Sequence, residues 1–234
     1  MSIAVLVLLA AIFVILVVAL YRRNVPAIVN AVVSLFVAIL PILGVAFGRV
    51  VFDQPLAIPD ELTLWIAAAG CLHSIGMLGP YDWIWWWDHL THTVSAALVA
   101  ALVYAGLLVI ELPVTGLGKT VDGIAFLTVL LTFSIGIFWE LIELVARTLG
   151  RRYGVEPILV NYGWRDTILD IVFDLLGALS IVLLDVRVFV PLAERHPDWT
   201  SMIFQGAIVF LLAGTMGMLL LLWTWFDGDM AVRS

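Results

Sequence analysis

Apolar stretches of about 20 residues recur seven times along this chain, separated by short polar segments, and each has the length of a helix that crosses a bilayer core. They run over Ser2–Tyr21, Pro26–Val51, Glu61–Gly79, Trp86–Ile110, Gly123–Leu149, Thr167–Val190 and Ser201–Phe226. The pattern predicts an all-α polytopic membrane bundle of seven transmembrane helices. No internal repeat or dividing linker breaks residues 1–234, so a single transmembrane domain is expected. The first span has no basic residue ahead of it and is followed by Arg22-Arg23, which reads as a retained anchor rather than a cleaved leader. Pro26 suits a helix start, and Pro41 should kink the second span.

Polar positions are unevenly spread over these spans. His73 lies in the third, Asp88, His89 and His92 in the fourth, Glu140 and Glu143 in the fifth, and Asp166, Asp170 and Asp174 open the sixth. The first, second and seventh have no ionisable residue in their interiors. At about 1.5 Å per residue, His73, His92, Glu140, Glu143, Asp170 and Asp174 fall roughly 10 Å from the same membrane surface when helix direction alternates. Faces agree as well. Asp88 and His92 are four apart, Glu140 and Glu143 three apart, and Asp166, Asp170 and Asp174 form one stripe that Gly177 continues, permitting close helix approach. Each ionisable group at a helix centre costs about 2.5–3.5 kcal/mol, so such convergence implies a site.

Composition narrows the classes. The chain is 64% hydrophobic and 12% charged, which excludes a soluble domain. Eighteen acidic residues against 11 basic ones exclude nucleic acid as a partner and leave membrane lipid. The single Cys71 excludes a disulfide framework or a CxxC site. Lys119 is the sole lysine, and arginine bias with surplus acid points to a halophilic source. With the N-terminus outside, Arg22, Arg23, Arg147, Arg151, Arg152, Arg165 and Arg233 fall inside, while Arg49, Lys119, Arg187 and Arg195 fall outside; this bias predicts N-out, C-in, with the acids in the cytoplasmic half.

Several residues have a plainer reading beside the functional one. Glu143 is spaced to pair with Arg147, Asp88 to cap its helix, and Asp166 and His89 to lie solvated at the interface, while His73 alone would be a packing residue. Glu140, Asp170, Asp174 and His92 together resist that reading. Clustered carboxylates require a bound cation or protonation. Mixed acids and imidazoles favour a divalent metal of undefined identity, with His73, Asp88, His92, Glu140, Glu143 and Asp170 as ligands. Asp166 and Asp174 are then expected behind the ligands or as catalytic acid/base. Trp139 and Trp164 are expected to wall the pocket, and Arg165 to receive an anionic head group.

The segments His73-x-x-Gly76, Trp87-Asp88-His89-x-x-His92, Phe138-Trp139-Glu140-Leu141-Ile142-Glu143 and Gly163-Trp164-Arg165-Asp166-Thr167-x-x-Asp170-x-x-x-Asp174-x-x-Gly177-Ala178 resemble the YjdF-type branch of the VanZ-like membrane proteins. The resemblance runs from Gly70 to Leu179, in order. It implies a multi-spanning helical protein with a loose connection to the cell envelope, without an assigned reaction. Many relatives have asparagine where this chain has Asp174.

Other chemistries lack their motifs. The last span has no lysine for a retinal Schiff base, and no haem or nucleotide motif is present. The aspartate stripe is similar to metal–diphosphate motifs, but the phosphoalcohol-transferase and acid-phosphatase signatures are missing. The leading expectation is a plasma-membrane protein with metal-assisted chemistry on a lipid-linked or envelope phosphate. A proton- or ion-coupled transporter is the rival, and a non-catalytic assembly protein with a structural polar core is the third reading.

Overall fold

The structure, a computed structural model, describes residues 2–51, 58–110, 120–154 and 163–231. Lys119 and Arg233, both used in the orientation count, lie outside them. Among the described residues the chain is wholly helical, in nine helices. α1 (Ile3–Arg22) starts behind Ser2, whose hydroxyl accepts from the Val5 amide, and ends on Arg23 in the left-handed region at φ 54°. Asn24 then caps α2 (Val25–Val51) by accepting from the Ala27 amide at 3.0 Å. Its amide nitrogen donates to the Met77 carbonyl, tying this turn to the end of α3 (Asp60–Gly76). The remaining elements are α4 (Pro80–Trp83), α5 (Trp87–Val109), α6 (Val121–Tyr153), α7 (Trp164–Leu183), α8 (Val190–Arg195) and α9 (Pro197–Ala231).

Five of these are long and apolar enough to cross a membrane: α1, Val25–Gly48 of α2, α5, α6 and Pro197–Trp225 of α9. The third and sixth expected spans differ from these for separate reasons. α3 has only 17 residues, and α7 carries Arg165, Asp166, Asp170 and Asp174 within 20. Boundaries shift too. The third apolar stretch breaks after Gly76, where the chain turns into α4, and the sixth ends at Leu183 with Val190 starting a separate helix. Continuing apolar residues, Met77 and Leu78, conceal the first break, whereas Asp185 and Arg187 mark the second.

The outer surfaces of α1, α2 and α9 expose leucine, valine and phenylalanine widely, as lipid-facing helices do. The buried core is built of small residues. Ala97, Ala100, Ala101 and Ala105 of α5 meet Ala178 and Ile181 of α7, with Phe189, just before α8, and Ala193 of α8 closing the end. Small side chains let helix backbones approach where hydrocarbon solvent gives no hydrophobic drive. Gly177 marks the closest point: a Cβ there would lie 2.5 Å from the Thr93 carbonyl oxygen and 3.0 Å from the Ala97 nitrogen. α9 seats Phe138 of α6 against Gly214 and Phe204 against Gly106 of α5, and buries Leu222, while most of its outer face stays exposed.

Candidate functional site

The α5–α7 contact sets the polar residues facing one another. Asp88 and His92 stand on one edge of α5, one turn apart, and Asp170 and Asp174 on the facing edge of α7. His92 Nδ1 is 3.1 Å from Asp174 Oδ1, a buried hydrogen bond joining the two helices. The other ring nitrogen, Nε2, lies 3.8 Å from Asp88 Oδ1 and 3.9 Å from Asp170 Oδ1. Each of Asp88, His92 and Asp170 thus offers a ligand atom within 4.8 Å of the other two. Asp170 is 1% exposed, and its Oδ1 has no hydrogen-bond partner among the described residues. His89 stands beside it, Nδ1 3.6 Å from Asp170 Oδ1, its ring stacked flat on Phe173 at 4.4 Å. The plainer reading of His89 as a solvated interfacial residue therefore gives way: it is buried.

α6 contributes from the third side. Gly136 lets α7 approach, since a Cβ there would lie 2.5 Å from Asp174 Oδ2. Glu140 is buried, with Thr167 and His92 among the groups facing it. Glu143 is also buried and accepts a 2.9 Å hydrogen bond from Trp139 Nε1 on its own helix. His73 of α3 is held at both nitrogens, Nδ1 2.6 Å from the Tyr81 hydroxyl and Nε2 3.1 Å from Ser95 Oγ. Gly76 makes room for Tyr81, because a Cβ there would overlap the phenol ring. Tyr81 donates onward to Thr91, whose hydroxyl bonds the Asp88 carbonyl.

Two cavities adjoin these groups. One, of about 160 Å³, is lined by Asn30, Ser34, His73, Tyr81, Asp88, His92, Trp139 and Glu143, with Val33 and Met77. The other, of about 260 Å³, is mostly apolar and shares His73, His92 and Trp139 with the first. Among the expected site residues, Asp88, His92 and Asp170 come together tightly; His73 and Glu143 line the polar cavity beside them. Asp166 opens α7 one turn before Asp170. Arg165 and Trp164 are exposed, and the guanidinium lies over the indole ring at 5.4 Å, apart from both cavities.

Asn30, Ser34 and Tyr81 were not among the sequence-based candidates. Asn30 and Ser34 form a polar pair one turn apart on an otherwise apolar helix and hold Ser74 of α3 by hydrogen bonds of 3.2 and 3.3 Å. That i, i+4 spacing was the available signal. Tyr81 carried none, because its position depends on the turn into α4.

Comparison with known proteins agrees with this architecture. Residues 1–190 match the family described as "Predicted membrane protein (DUF2238)", and the chain belongs to it. An uncharacterised protein of Thermotoga maritima is 26% identical over 136 residues, covering 56% of this chain and 64% of that relative. The chain thus spans under two thirds of that relative's length. No solved structure matches the chain.

Proposed function

We propose that this member of the DUF2238 family is a single seven-helix domain of the plasma membrane, N-out and C-in. In this reading α3 and α7 complete the membrane crossing from within the bundle, shielded by the five more apolar helices. The resemblance to YjdF-type, VanZ-like proteins supports the assignment at the level of motif order. The polar site then faces the cytoplasm and binds a divalent cation between Asp88, His92 and Asp170. Its work is metal-assisted hydrolysis or transfer on a lipid-linked phosphate.

One observation carries the reading: a buried imidazole nitrogen lies within 4 Å of two carboxylate oxygens, one of them without a hydrogen-bond partner among the described residues. Metal–ligand bonds of about 2.0–2.2 Å span such gaps with small side-chain adjustment. A buried carboxylate needs a partner, and a cation supplies one. Among the described residues neither cavity is lined by lysine or arginine, so a phosphate entering there requires a metal to offset the carboxylates. His73 and Glu143 face the same polar cavity as ligands or proton carriers, and Asp174 orients His92 from behind.

Elemental analysis of protein purified without chelator tests this. Near-stoichiometric divalent metal in the wild type, lost in Asp170→Asn, supports it; a metal-free wild type that also fails to take up added zinc or manganese overturns it. The two cavities meeting at His73, His92 and Trp139 favour a second reading, a proton-coupled transporter. A pH-dependent flux altered by Glu143→Gln in a metal-free, folded protein would select it.

A further inference from the structure

The proposed function occupies the polar cavity and leaves the apolar one without a role. That cavity is walled by Ala96 and Val99 of α5 and Ile135 and Gly136 of α6. His73, His92, Trp139 and Asp174 line it as well, and so do two hydroxyls. Ser95 Oγ is bonded to His73 Nε2, whereas Thr132 Oγ1 is buried, 2% exposed at the residue, and has no hydrogen-bond partner among the described residues.

Thr132 departs from its own helix in this respect. Thr128, Ser134 and Thr148 each donate to the carbonyl four residues earlier, at 2.7–2.9 Å. Such back-bonding is the ordinary resource of a hydroxyl in a membrane helix, and a buried hydroxyl without it is costly unless another acceptor arrives. An apolar chamber with a few placed polar groups, continuous in its walls with a charged chamber, has the make-up of a site for a molecule that is apolar at one end and polar at the other.

We infer that the apolar cavity is the hydrocarbon subsite for a single-chain amphiphile. Its chain packs against Val99 and Ile135, the Thr132 hydroxyl donates to the oxygen joining chain to head group, and the head group reaches the Asp88–His92–Asp170 cluster. At about 260 Å³ the cavity lies below the usual span for drug-sized ligands, which suits part of one chain and not the paired chains of a bilayer lipid. This rests on the lipid-linked substrate of the proposed function and adds where the chain lies and which residue reads the junction.

Equilibrium binding of radiolabelled dodecyl phosphate to the full chain in nanodiscs tests it, with dodecanol and inorganic phosphate as competitors. Dodecyl phosphate should bind saturably and dodecanol should compete. Val99→Phe, which fills the cavity, should weaken binding at least about tenfold. Thr132→Val, which keeps the shape and removes the hydroxyl, should weaken it about three- to tenfold. Both variants should keep the wild-type metal content. Wild-type affinity in both variants, or wild-type binding of neither dodecyl phosphate nor dodecanol, overturns the inference. Dodecanol binding that is sensitive to Val99→Phe and Thr132→Val in a protein without metal or phosphate affinity upholds the chain subsite and removes the phosphate chemistry instead.

Discussion

His92 and Asp174 are joined across α5 and α7 by a buried 3.1 Å hydrogen bond between Nδ1 and Oδ1, which fixes the imidazole so that Nε2 faces Asp88 and Asp170. A carboxylate behind a histidine in this way sets the ring's tautomer and orientation for a cation on the other nitrogen. Asparagine keeps an acceptor oxygen at the same place. Asp174→Asn should therefore fold and bind zinc or manganese, with affinity about 10- to 100-fold lower, as read by titration against a competing chelator. Loss equal to that of Asp170→Asn would make Asp174 a ligand in its own right.

Gly136 and Asp174 should behave as one unit. A methyl group at Gly136 would meet Asp174 Oδ2 at 2.5 Å and push the carboxylate away from His92. Gly136→Ala should lower metal affinity as Asp174→Asn does, and the double variant should be little worse than either alone. A thermodynamic cycle with fully additive losses would contradict this coupling.

Gly177 is a different case, because its neighbours are backbone atoms. The Thr93 carbonyl and Ala97 nitrogen cannot swing aside as a side chain can. Gly177→Ala should force α5 and α7 apart and destabilise the fold by about 1–3 kcal/mol, visible as a lower melting temperature in detergent. Metal affinity should fall with it, since the proposed ligands are divided between those two helices.

At the far end of the same helix pair, Asp185 closes α7 in the left-handed region at φ 49°. It accepts from Arg187 Nε at 2.8 Å and from the Tyr104 hydroxyl of α5 at 2.7 Å. The Arg187 bond, and then the Tyr104 bond, hold the Asp185 carboxyl below its ordinary range. A depressed acid contributes stability that is complete above the unfolded value of about 3.9 and lost as pH falls through the folded one. Melting of the wild type should thus decline over that acid window more than melting of Asp185→Asn. Parallel pH curves would remove the staple from the stability account.

Much of the site was legible because helical spacing fixes faces. Asp88 and His92, or Asp170 and Asp174, share an edge whatever surrounds them. Arg165 and Trp164 illustrate the limit of reading by proximity in sequence. At about 100° per residue, Arg165 is turned roughly 140° from Asp170, so it points away from the acids it adjoins. Phase would have separated them. Tyr81 lies beyond such reasoning, since only the break between α3 and α4 brings its hydroxyl to His73. The end of α3 was obscured for the same reason, since apolar residues continue through the turn, whereas Asp185 and Arg187 were a legible signal for the end of α7.

The family match ends at residue 190, whereas α9 begins at Pro197 and meets the rest through apolar contacts such as Phe138 on Gly214 and Phe204 on Gly106. Trading those contacts for acyl chains exchanges one hydrocarbon neighbour for another. Among the described residues none of its side chains lines either cavity, so a change along the last helix should reach the chamber of acids and imidazoles only by way of the helices it leans on.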